Sequence, residues 1–321
     1  MWMLKLVQAV FGWIHNRIAP GPKIVVRWYI ELVSAICRHL PRKWTAHMQI
    51  SVSGGRVRPW SQKEFPARVV EVGVATKILL APHLGEFDES ALFARRMDYE
   101  QEVFAWLEQN APKAYDIVIE IGANVGIYTC FFDALIKATP DARLTGVVAF
   151  EPSQEAYRRL MVNLAANDAR AVKSFNAAVA AKAGFHAFYE PSNHLTNGSF
   201  HKDFSQIFSN QVVESTVLAV APSDLGHFLK GKRHPLIKID VEGYEATLLQ
   251  GMAEIIDAHH PDLLLEVLKG LPEELEAMAA LQPYRKFLIT KDGLRPHPRL
   301  FASETMRDWL LVHPDSLTSI D

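Results

Sequence analysis

The chain has 321 residues, of which 49% are hydrophobic and 22% charged, and its formal net charge is −2. That balance is typical of a soluble globular protein and gives no sign of a nucleic-acid partner. Cys37 and Cys130 stand far apart, which excludes a disulfide framework and a cysteine-rich metal site, so a cytoplasmic location is expected. We predict a basic, tryptophan-rich helical extension over residues 1–48, a small strand and helix segment over 49–110, and the main domain over 111–321.

The first 45 residues differ from the rest in charge and in tryptophan content. They contain seven basic residues against one acidic residue, Glu31, and four of the seven tryptophans. Helices are predicted over Met1–Ile18 and Ile24–Leu40, and neither is long and apolar enough to span a membrane. We expect the extension to pack on the main domain or on the second subunit of a homodimer. The alternative is peripheral contact of residues 1–45 with the anionic inner face of a membrane.

Between the extension and the main domain, the pattern predicts two strands and a long helix. Val69–Val74 and Thr76–Ala81 are apolar or alternating, as in short strands. Phe87–Asn110 has apolar residues near helical spacing, so a helix is expected there, ending at Asn110 before Pro112.

The main domain opens with a strand, a glycine turn and a helix. Asp116–Ile121 is apolar and β-branched, typical of a buried parallel strand, and Gly122, Asn124 and Gly126 follow directly. Such a turn brings backbone N–H groups to a ligand. A dinucleotide site would need a glycine in place of Asn124, and the Glu120 carboxylate would repel a pyrophosphate but attract an ammonium or a sulfonium. The turn favours S-adenosylmethionine; the alternative is an ordinary strand-to-helix turn capped by an asparagine.

The next two predicted strands end in polar residues. Leu144–Phe150 leads to Glu151, at the position where a Rossmann-type fold places the acid that binds ribose hydroxyls. Ala171–Ala180 is predicted as the third strand and contains Asn176, which would meet the adenine of the ligand or else serve as a turn residue.

Two extra strands are predicted over Phe185–Tyr189 and Val212–Val220, on either side of a long polar loop. Loops of this length are usually functional or mobile. His194 and His201 lie in the loop and are candidate general bases, because imidazole titrates near neutrality. The alternative is that both are solvated loop histidines.

The fourth predicted strand, Leu236–Val241, carries an unusual set of charges. Lys238, Asp240 and Glu242 alternate in the sequence, so they would share one face of the strand. Buried charges are costly unless they pair or meet a ligand. A carboxylate metal site formed by Asp240, Glu242 and Glu266 is the weaker alternative, and no metal is expected.

The end of the chain completes the alternation of strands and helices. Asp262–Val267 is predicted as the fifth strand. Arg285–Thr290 and Asp308–His313 are predicted to pair as a hairpin at the edge of the sheet. Alternating strands and helices indicate an α/β fold with a mostly parallel sheet.

Four segments together resemble one known family: Val118–Thr129, Phe150–Pro152, Asn176–Val179 and Ile237–Glu245. Through them the chain is similar to the FkbM family of S-adenosylmethionine-dependent methyltransferases, and the segment Lys-Ile-Asp-Val-Glu-Gly-Tyr-Glu is the most specific. The resemblance implies an α/β fold, with a seven-stranded, mostly parallel, Rossmann-like sheet and helices on both faces. The predicted helical N-terminal extension lies outside the resemblance. One departure is Ala221–Leu225, where the family commonly has Leu-Asp-Asp, which puts substrate contacts there in doubt.

The chemistry that the resemblance implies is methyl transfer to oxygen, often a hydroxyl of a sugar or natural product. Asp240 and Glu242 would contact the substrate or act as the base, with Lys238 as their electrostatic partner and His194 and His201 in reserve.

The predicted cofactor is S-adenosylmethionine. Glu120 and Gly122 are assigned to its methionine end, Glu151 to its ribose and Asn176 to its adenine edge. The rest of the predicted cofactor-binding set comes from the glycine turn, from the fourth strand and from a Tyr-Glu pair that resembles a family feature: Asn124, Gly126, Thr129, Asp240 and Glu100.

A small-molecule or carbohydrate substrate is therefore expected, and no nucleic acid. Two other function classes stay open. One is a nicotinamide-dependent oxidoreductase on a similar sheet, which Asn124 disfavours because it replaces the middle glycine of the dinucleotide motif. The other is a catalytically inactive, membrane-associated scaffold, which the acids at Glu120, Glu151, Asp240 and Glu242 disfavour.

Overall fold

The structure is a computed structural model, and it describes Trp13 and residues 23–40, 65–83, 86–192, 197–303 and 306–316. The chain forms two compact units, Met1–Gln101 and Glu102–Asp321. The four segments that carry the family resemblance all lie in the second unit. The sequence-based division at residues 48 and 110 stays a prediction.

The described part of the first unit contains a helix, a β-hairpin and a second, short helix. These elements are α1 (Lys23–Cys37), β1 (Arg68–Glu71), β2 (Lys77–Leu80) and α2 (Glu89–Ala94). Strands β1 and β2 pair antiparallel, which confirms both predicted strands. Helix α1 confirms the second predicted helix of the extension. The first, Met1–Ile18, lies outside the described residues except for Trp13, and within the described part of the chain no helix is long and apolar enough to cross a bilayer.

The single helix predicted over Phe87–Asn110 is wrong in two respects. The segment holds α2 and a separate helix α3 (Gln101–Ala114). Arg95 and Glu100 adopt left-handed backbone conformations, with φ of 58° and 47°, which a right-handed helix cannot contain. Helix α3 also continues past Pro112, which lies in its last turn.

The second unit alternates strands with helices. Its strands are β3 (Ile117–Ile121), β4 (Val147–Phe150), β5 (Val172–Phe175), β6 (Ala178–Val179), β7 (Gly184–Pro191), β8 (Val212–Val220), β9 (Pro235–Ile239), β10 (Asp262–Glu266), β11 (Arg285–Thr290), β12 (Gly293–His297) and β13 (Asp308–Val312). Its helices after α3 are α4 (Ile127–Ala138), α5 (Gln154–Asn167), α6 (Lys202–Phe208), α7 (Gly226–Leu229), α8 (Glu245–Gly251), α9 (Ala253–His259) and α10 (Leu271–Glu276). Short 3₁₀ turns occupy Pro222–Leu225 and Ala279–Leu281.

The main sheet of the described residues has eight strands in the order β12-β11-β13-β10-β9-β3-β4-β5. Strands β5, β4, β3, β9 and β10 are parallel, and β13, β11 and β12 add antiparallel. The α/β, Rossmann-like sheet is as predicted. It has eight strands where seven were expected, because Gly293–His297 folds back on β11 as an extra edge strand.

Helices cover both faces of this sheet. Ile119 and Ile237 belong to one hydrophobic core together with Leu248 of α8 and Ile255 of α9. Because successive side chains of a strand point to opposite faces, Glu120 and Lys238 face the other way. There the Glu120 carboxylate accepts a hydrogen bond from Thr129 of α4. The two helical layers therefore fix the direction of every side chain that β3 and β9 present.

The strand predicted over Ala171–Ala180 is two strands in two different sheets. Strand β5 ends at Phe175 and stays in the main sheet, whereas β6 pairs with β8 in a separate three-stranded sheet of order β6-β8-β7. Strands β7 and β8 pair antiparallel over eight residues, which confirms the two predicted extra strands.

The predicted edge hairpin is also corrected. Strands β11 and β13 do pair antiparallel, but β13 lies between β10 and β11. The edge hairpin consists of β11 and β12. Trp309 of β13 is fully buried, so the last strand belongs to the interior of the sheet.

Candidate active site

A cleft opens at the carboxyl ends of β3, β4 and β9, where ligands bind in open α/β sheets. It encloses about 610 Å³, including the part open to solvent. The residues that line it are Ile121, Gly122, Asn124, Phe150, Glu151, Pro152, Ser153, Ala178, Val179, Phe188, Gly198, Phe200, Asp240, Val241 and Glu242.

The glycine turn brings two strand ends into close contact. Gly122 has φ of 87°, and a Cβ atom there would lie 1.8 Å from the backbone oxygen of Asp240. The Asp240 N–H donates to the backbone oxygen of Ile121 at 3.1 Å. Both the conformation and the contact therefore require glycine at position 122.

Asn124 and Glu151 are joined across the cleft floor. The Asn124 N–H donates to Glu151 Oε2 at 2.7 Å, and the Ser153 N–H donates to Oε1 at 2.8 Å. Glu151 is buried, and burial raises the pKa of its carboxyl to about 7, although the two N–H groups act in the opposite direction. The Asn124 side-chain oxygen is buried and accepts no hydrogen bond from the described residues. Each side chain keeps acceptor capacity for a ligand.

Three of the predicted cofactor residues lie behind the cleft wall. Glu120 is buried, and its carboxylate accepts a hydrogen bond from Thr129 Oγ1 at 2.6 Å. Gly126 begins α4, with φ of 83°, and a Cβ atom there would lie 2.1 Å from Leu160 of α5. Glu120, Gly126 and Thr129 thus brace the turn and do not line the cleft.

Asn176 is exposed and does not line the cleft. Its side-chain N–H groups donate to the backbone oxygens of Glu151 at 2.9 Å and of Pro152 at 3.2 Å. It therefore holds the turn after β4. The chain segment after it lines the cleft instead, through Ala178 and Val179.

The charges of the fourth strand pair as the alternation implied. Lys238 Nζ lies 3.0 Å from Asp240 Oδ2 and 4.5 Å from the ring centre of Tyr128. Lys238 is buried, whereas the Asp240 side chain is 31% exposed and reaches the cleft. A buried ammonium is stabilised by both the carboxylate and the aromatic face.

Glu242 does not continue the strand but stands in the turn after it, with φ of 52°. Its side chain lines the cleft, and its backbone oxygen accepts a hydrogen bond from Ser199 Oγ at 2.8 Å. Burial, reinforced by the negative charges of Asp240 and then Glu266, raises the pKa of Glu242 well above its ordinary value.

Glu245 stabilises this turn through hydrogen bonds to its backbone. It is fully buried, and its Oε1 accepts the N–H groups of Val241 at 3.1 Å and Gly243 at 3.3 Å. Burial raises the pKa of Glu245 to about 7. The acid that ends the family-like segment therefore holds the backbone on either side of Glu242.

The remaining predicted residues are not among the described residues that line this cleft. His194 falls in Asn193–Thr196, outside the described residues. His201 is exposed, precedes α6, and its ring lies 5.7 Å from that of Tyr244. Glu100 belongs to the first compact unit. The roles predicted for all three stay predictions.

The carboxylate metal site does not form among the described residues. Glu266 is paired with Arg307 at 3.1 Å. In that part of the chain, the only three candidate ligands that approach one another are His260, His313 and Asp315. The Asp315 N–H donates to His313 Nδ1, and the two imidazole rings are stacked 4.0 Å apart, so protein contacts already use these groups.

Sequence reasoning missed the wall that the three-stranded sheet contributes. Phe188 of β7, Gly198 and Phe200 line the cleft. A Cβ atom at Gly198 would lie 2.6 Å from the Phe188 ring. The sequence did predict the two extra strands and the polar loop between them. The residues singled out there were histidines of the loop, and the aromatic residues of this wall were not predicted.

One family model matches residues 120–296, and its description is the methyltransferase FkbM domain. That match covers more than half of the chain and includes the glycine turn, Glu151 and the segment from Lys238 to Glu245.

The chain belongs to the FkbM methyltransferase family.

The chain is also similar to other known proteins in sequence or in structure. The FkbM chain is 26% identical over 265 residues to methyltransferase sdnD of Sordaria araneosa, and the match covers 70% of this chain and 96% of that one. A crystal structure of methyltransferase FkbM from Methylobacillus flagellatus KT has a TM-score of 0.40 and 13% identity, over 90% of this chain and 59% of that one. The structure of M. jannaschii TYW2 in complex with AdoMet has a TM-score of 0.36 and 10% identity, over 78% and 85% of the two chains.

Proposed function

We propose that this FkbM-family protein is an S-adenosylmethionine-dependent O-methyltransferase that acts on a hydroxyl of a sugar, glycan or glycolipid, or natural-product small molecule. The observation that carries the proposal is the Glu151 carboxylate, which is held at the cleft floor by the N–H groups of Asn124 and Ser153. A carboxylate fixed in this way at the tip of the second strand suits a ribose diol.

The residues of the cleft fit this cofactor. Two protein hydrogen bonds use only part of the acceptor capacity of Glu151, so its oxygens can still accept from two ribose hydroxyls. The unpaired Asn124 oxygen suits the ammonium of the methionine end. Gly122 lines the cleft at the turn after β3. When bound, S-adenosylmethionine supplies an electrophilic methyl group on a sulfonium.

The chain's own contribution to transfer is to bind, orient and deprotonate the acceptor. Glu242 lines the cleft, and its pKa is raised, so its carboxylate is a stronger base than an ordinary glutamate. We assign to Glu242 the role of general base, which takes the proton of the acceptor hydroxyl. Asp240 is oriented by Lys238 and would accept a hydrogen bond from the substrate. Orientation for in-line displacement supplies much of the rate of such reactions.

The lining also limits the substrate class. Three carboxylates, Glu151, Asp240 and Glu242, face the cleft, and Phe188 and Phe200 form an apolar wall. Carboxylates repel phosphate, which disfavours nucleic acid and phosphorylated acceptors. Hydroxyl groups and an apolar face are what these groups can bind.

The test is a methyl-transfer assay with S-adenosylmethionine and a panel of sugars, glycolipids and polyhydroxylated natural products. The wild-type protein should convert at least one acceptor, and the Glu242→Gln variant should lose roughly 10²–10⁴-fold in kcat, the usual contribution of a general base. Asp292→Asn, at an exposed acid outside the cleft, is the matched control and should be unchanged. Full activity of Glu242→Gln would remove the assigned base.

A further inference from the structure

Helix α1 has an exposed apolar face that methyl transfer does not use. Trp28, Leu32 and Ile36 are 74%, 60% and 40% exposed. They follow one another at four-residue spacing, so they form one stripe along the helix. The opposite face is buried within the first unit through Tyr29, Ile30, Val33 and Cys37. A helix that is apolar on both sides normally has both sides covered.

The stripe is held outward by contacts on the buried side. Ser34 Oγ donates to the backbone oxygen of Leu92 at 2.7 Å. Arg68 Nη2 donates to Glu31 Oε1 at 2.7 Å, and the Arg68 side chain is only 4% exposed. These bonds fix the rotation of α1 about its axis. The apolar stripe is therefore a preformed surface of the first unit.

Charge decides what this surface fits. The first 45 residues hold seven basic residues and one acid, namely Lys5, Arg17, Lys23, Arg27, Arg38, Arg42, Lys43 and Glu31. That one acid is used by Arg68, whereas Arg27 and Arg38 are exposed at the two ends of the stripe. Of 34 basic and 36 acidic residues in the chain, 27 and 35 remain after residue 45, a formal charge of −8. Positive charge is thus concentrated in the stretch of sequence that contains the apolar stripe.

We propose that α1 is an interfacial helix that lies on an anionic lipid surface, with Trp28, Leu32 and Ile36 in the boundary region and Arg27 and Arg38 at the headgroups. The helix has 15 residues, fewer than the roughly 20 that a bilayer span requires, so it lies along the surface. Tryptophan and arginine around an aliphatic stripe are the composition that such surfaces bind.

A second copy of the chain fits this face less well. Self-association through the stripe would be isologous and would bring the Arg27 and Arg38 side chains of both copies to one interface. Like charges at an interface oppose association. Anionic lipid complements the same charges.

Vesicle co-sedimentation of the full chain tests the proposal, without cofactor, so that its outcome is separate from methyl transfer. The probes are vesicles of phosphatidylcholine alone and with about 30% phosphatidylglycerol. The wild-type protein should bind the anionic vesicles at least about tenfold more tightly, and added salt should weaken binding. The double variant Trp28→Ser/Leu32→Ser should lose roughly tenfold or more. Arg27→Ser/Arg38→Ser should bind the anionic vesicles more weakly than the wild type and should bind the neutral vesicles like the wild type.

Phe185→Ser is the matched control, because Phe185 is 81% exposed on β7 of the second unit. It should bind vesicles like the wild type, and circular dichroism should show all variants folded. Equal binding of wild type to neutral and anionic vesicles, or undiminished binding of Trp28→Ser/Leu32→Ser, would overturn the proposal. A dimer in sedimentation velocity that this double variant abolishes, with no vesicle binding, would assign the stripe to a second copy instead.

Discussion

At the scale of single residues, Glu151 combines a structural and a ligand-binding position. Its two oxygens accept backbone N–H groups from both sides of the cleft floor, and it is buried there. The sequence predicted this residue because it follows an apolar strand at the expected distance from the glycine turn. The Asn124 N–H that Glu151 accepts could not be predicted, because it depends on the left-handed backbone of Asn124, with φ of 51°.

The affinity for S-adenosylmethionine should depend on pH through Glu151. Since burial raises the pKa of Glu151 to about 7, the carboxylate that would accept the ribose hydroxyls is lost as the pH falls below that value. We expect Kd to rise by up to about tenfold per pH unit below neutrality and to be flat above about pH 8. Calorimetric titration across this range measures it. Glu151→Gln should give a flat profile; an equally flat wild-type profile would disprove the coupling.

Glu245 should make the stability of the protein depend on pH, with stability lost as the pH rises. Its folded pKa is raised to about 7 from 4.5, so folding favours its protonated form. That contribution is complete below about pH 4.5 and disappears as the pH rises through 7. The loss of unfolding free energy between about pH 5 and 8 should therefore be smaller in Glu245→Gln, by on the order of 2 kcal/mol. Urea unfolding at both values measures it, and identical pH slopes in the two proteins would contradict this account.

At the scale of elements, the strand–turn–helix unit was predictable because its pattern is local. β-branched residues, three turn residues and an apolar helix follow in sequence, and β3 and α4 form there. The order of β11, β12 and β13 was not predictable, because insertion of β13 beside β10 is a long-range pairing. The division of Ala171–Ala180 between two sheets failed for the same reason.

The contact between β3 and β9 gives the prediction at this scale. Gly122→Ala should destabilise the protein by more than about 2 kcal/mol and abolish cofactor binding, because the added Cβ meets the Asp240 carbonyl at 1.8 Å. Gly146→Ala is the control, since its nearest atom would lie at 3.8 Å and its φ is not positive. Thermal unfolding compares the two variants. Equal melting temperatures would show that the turn relaxes without cost.

At the scale of the whole molecule, the sequence predicted the α/β class, the parallel core of the sheet and the end of the sheet that carries the cleft. It predicted less well which polar side chains face the cleft. Glu120 and Asn176 follow family-like motifs, yet tertiary contacts direct Glu120 to Thr129 and Asn176 to the backbone after β4. The aromatic wall from Phe188 and Phe200 comes from a separate sheet, which no local pattern places.

The proposed lipid surface and the cleft use different residues of different compact units. Trp28→Ser/Leu32→Ser should therefore bind S-adenosylmethionine within about twofold of the wild-type affinity, and Glu151→Ala should retain wild-type vesicle binding. Calorimetric titration of Trp28→Ser/Leu32→Ser with S-adenosylmethionine and vesicle co-sedimentation of Glu151→Ala measure this. Loss of both activities in either variant, with the fold intact, would show that the two functions are coupled.

The most direct test of the central claim is calorimetric titration of the wild-type protein and Glu151→Ala with S-adenosylmethionine, with NADH as the control ligand. We predict micromolar binding of S-adenosylmethionine, weakened in Glu151→Ala by about 1.5–3 kcal/mol, the contribution of a charged hydrogen bond, and no binding of NADH. Binding of NADH without S-adenosylmethionine, or S-adenosylmethionine affinity unchanged by Glu151→Ala, would contradict the account.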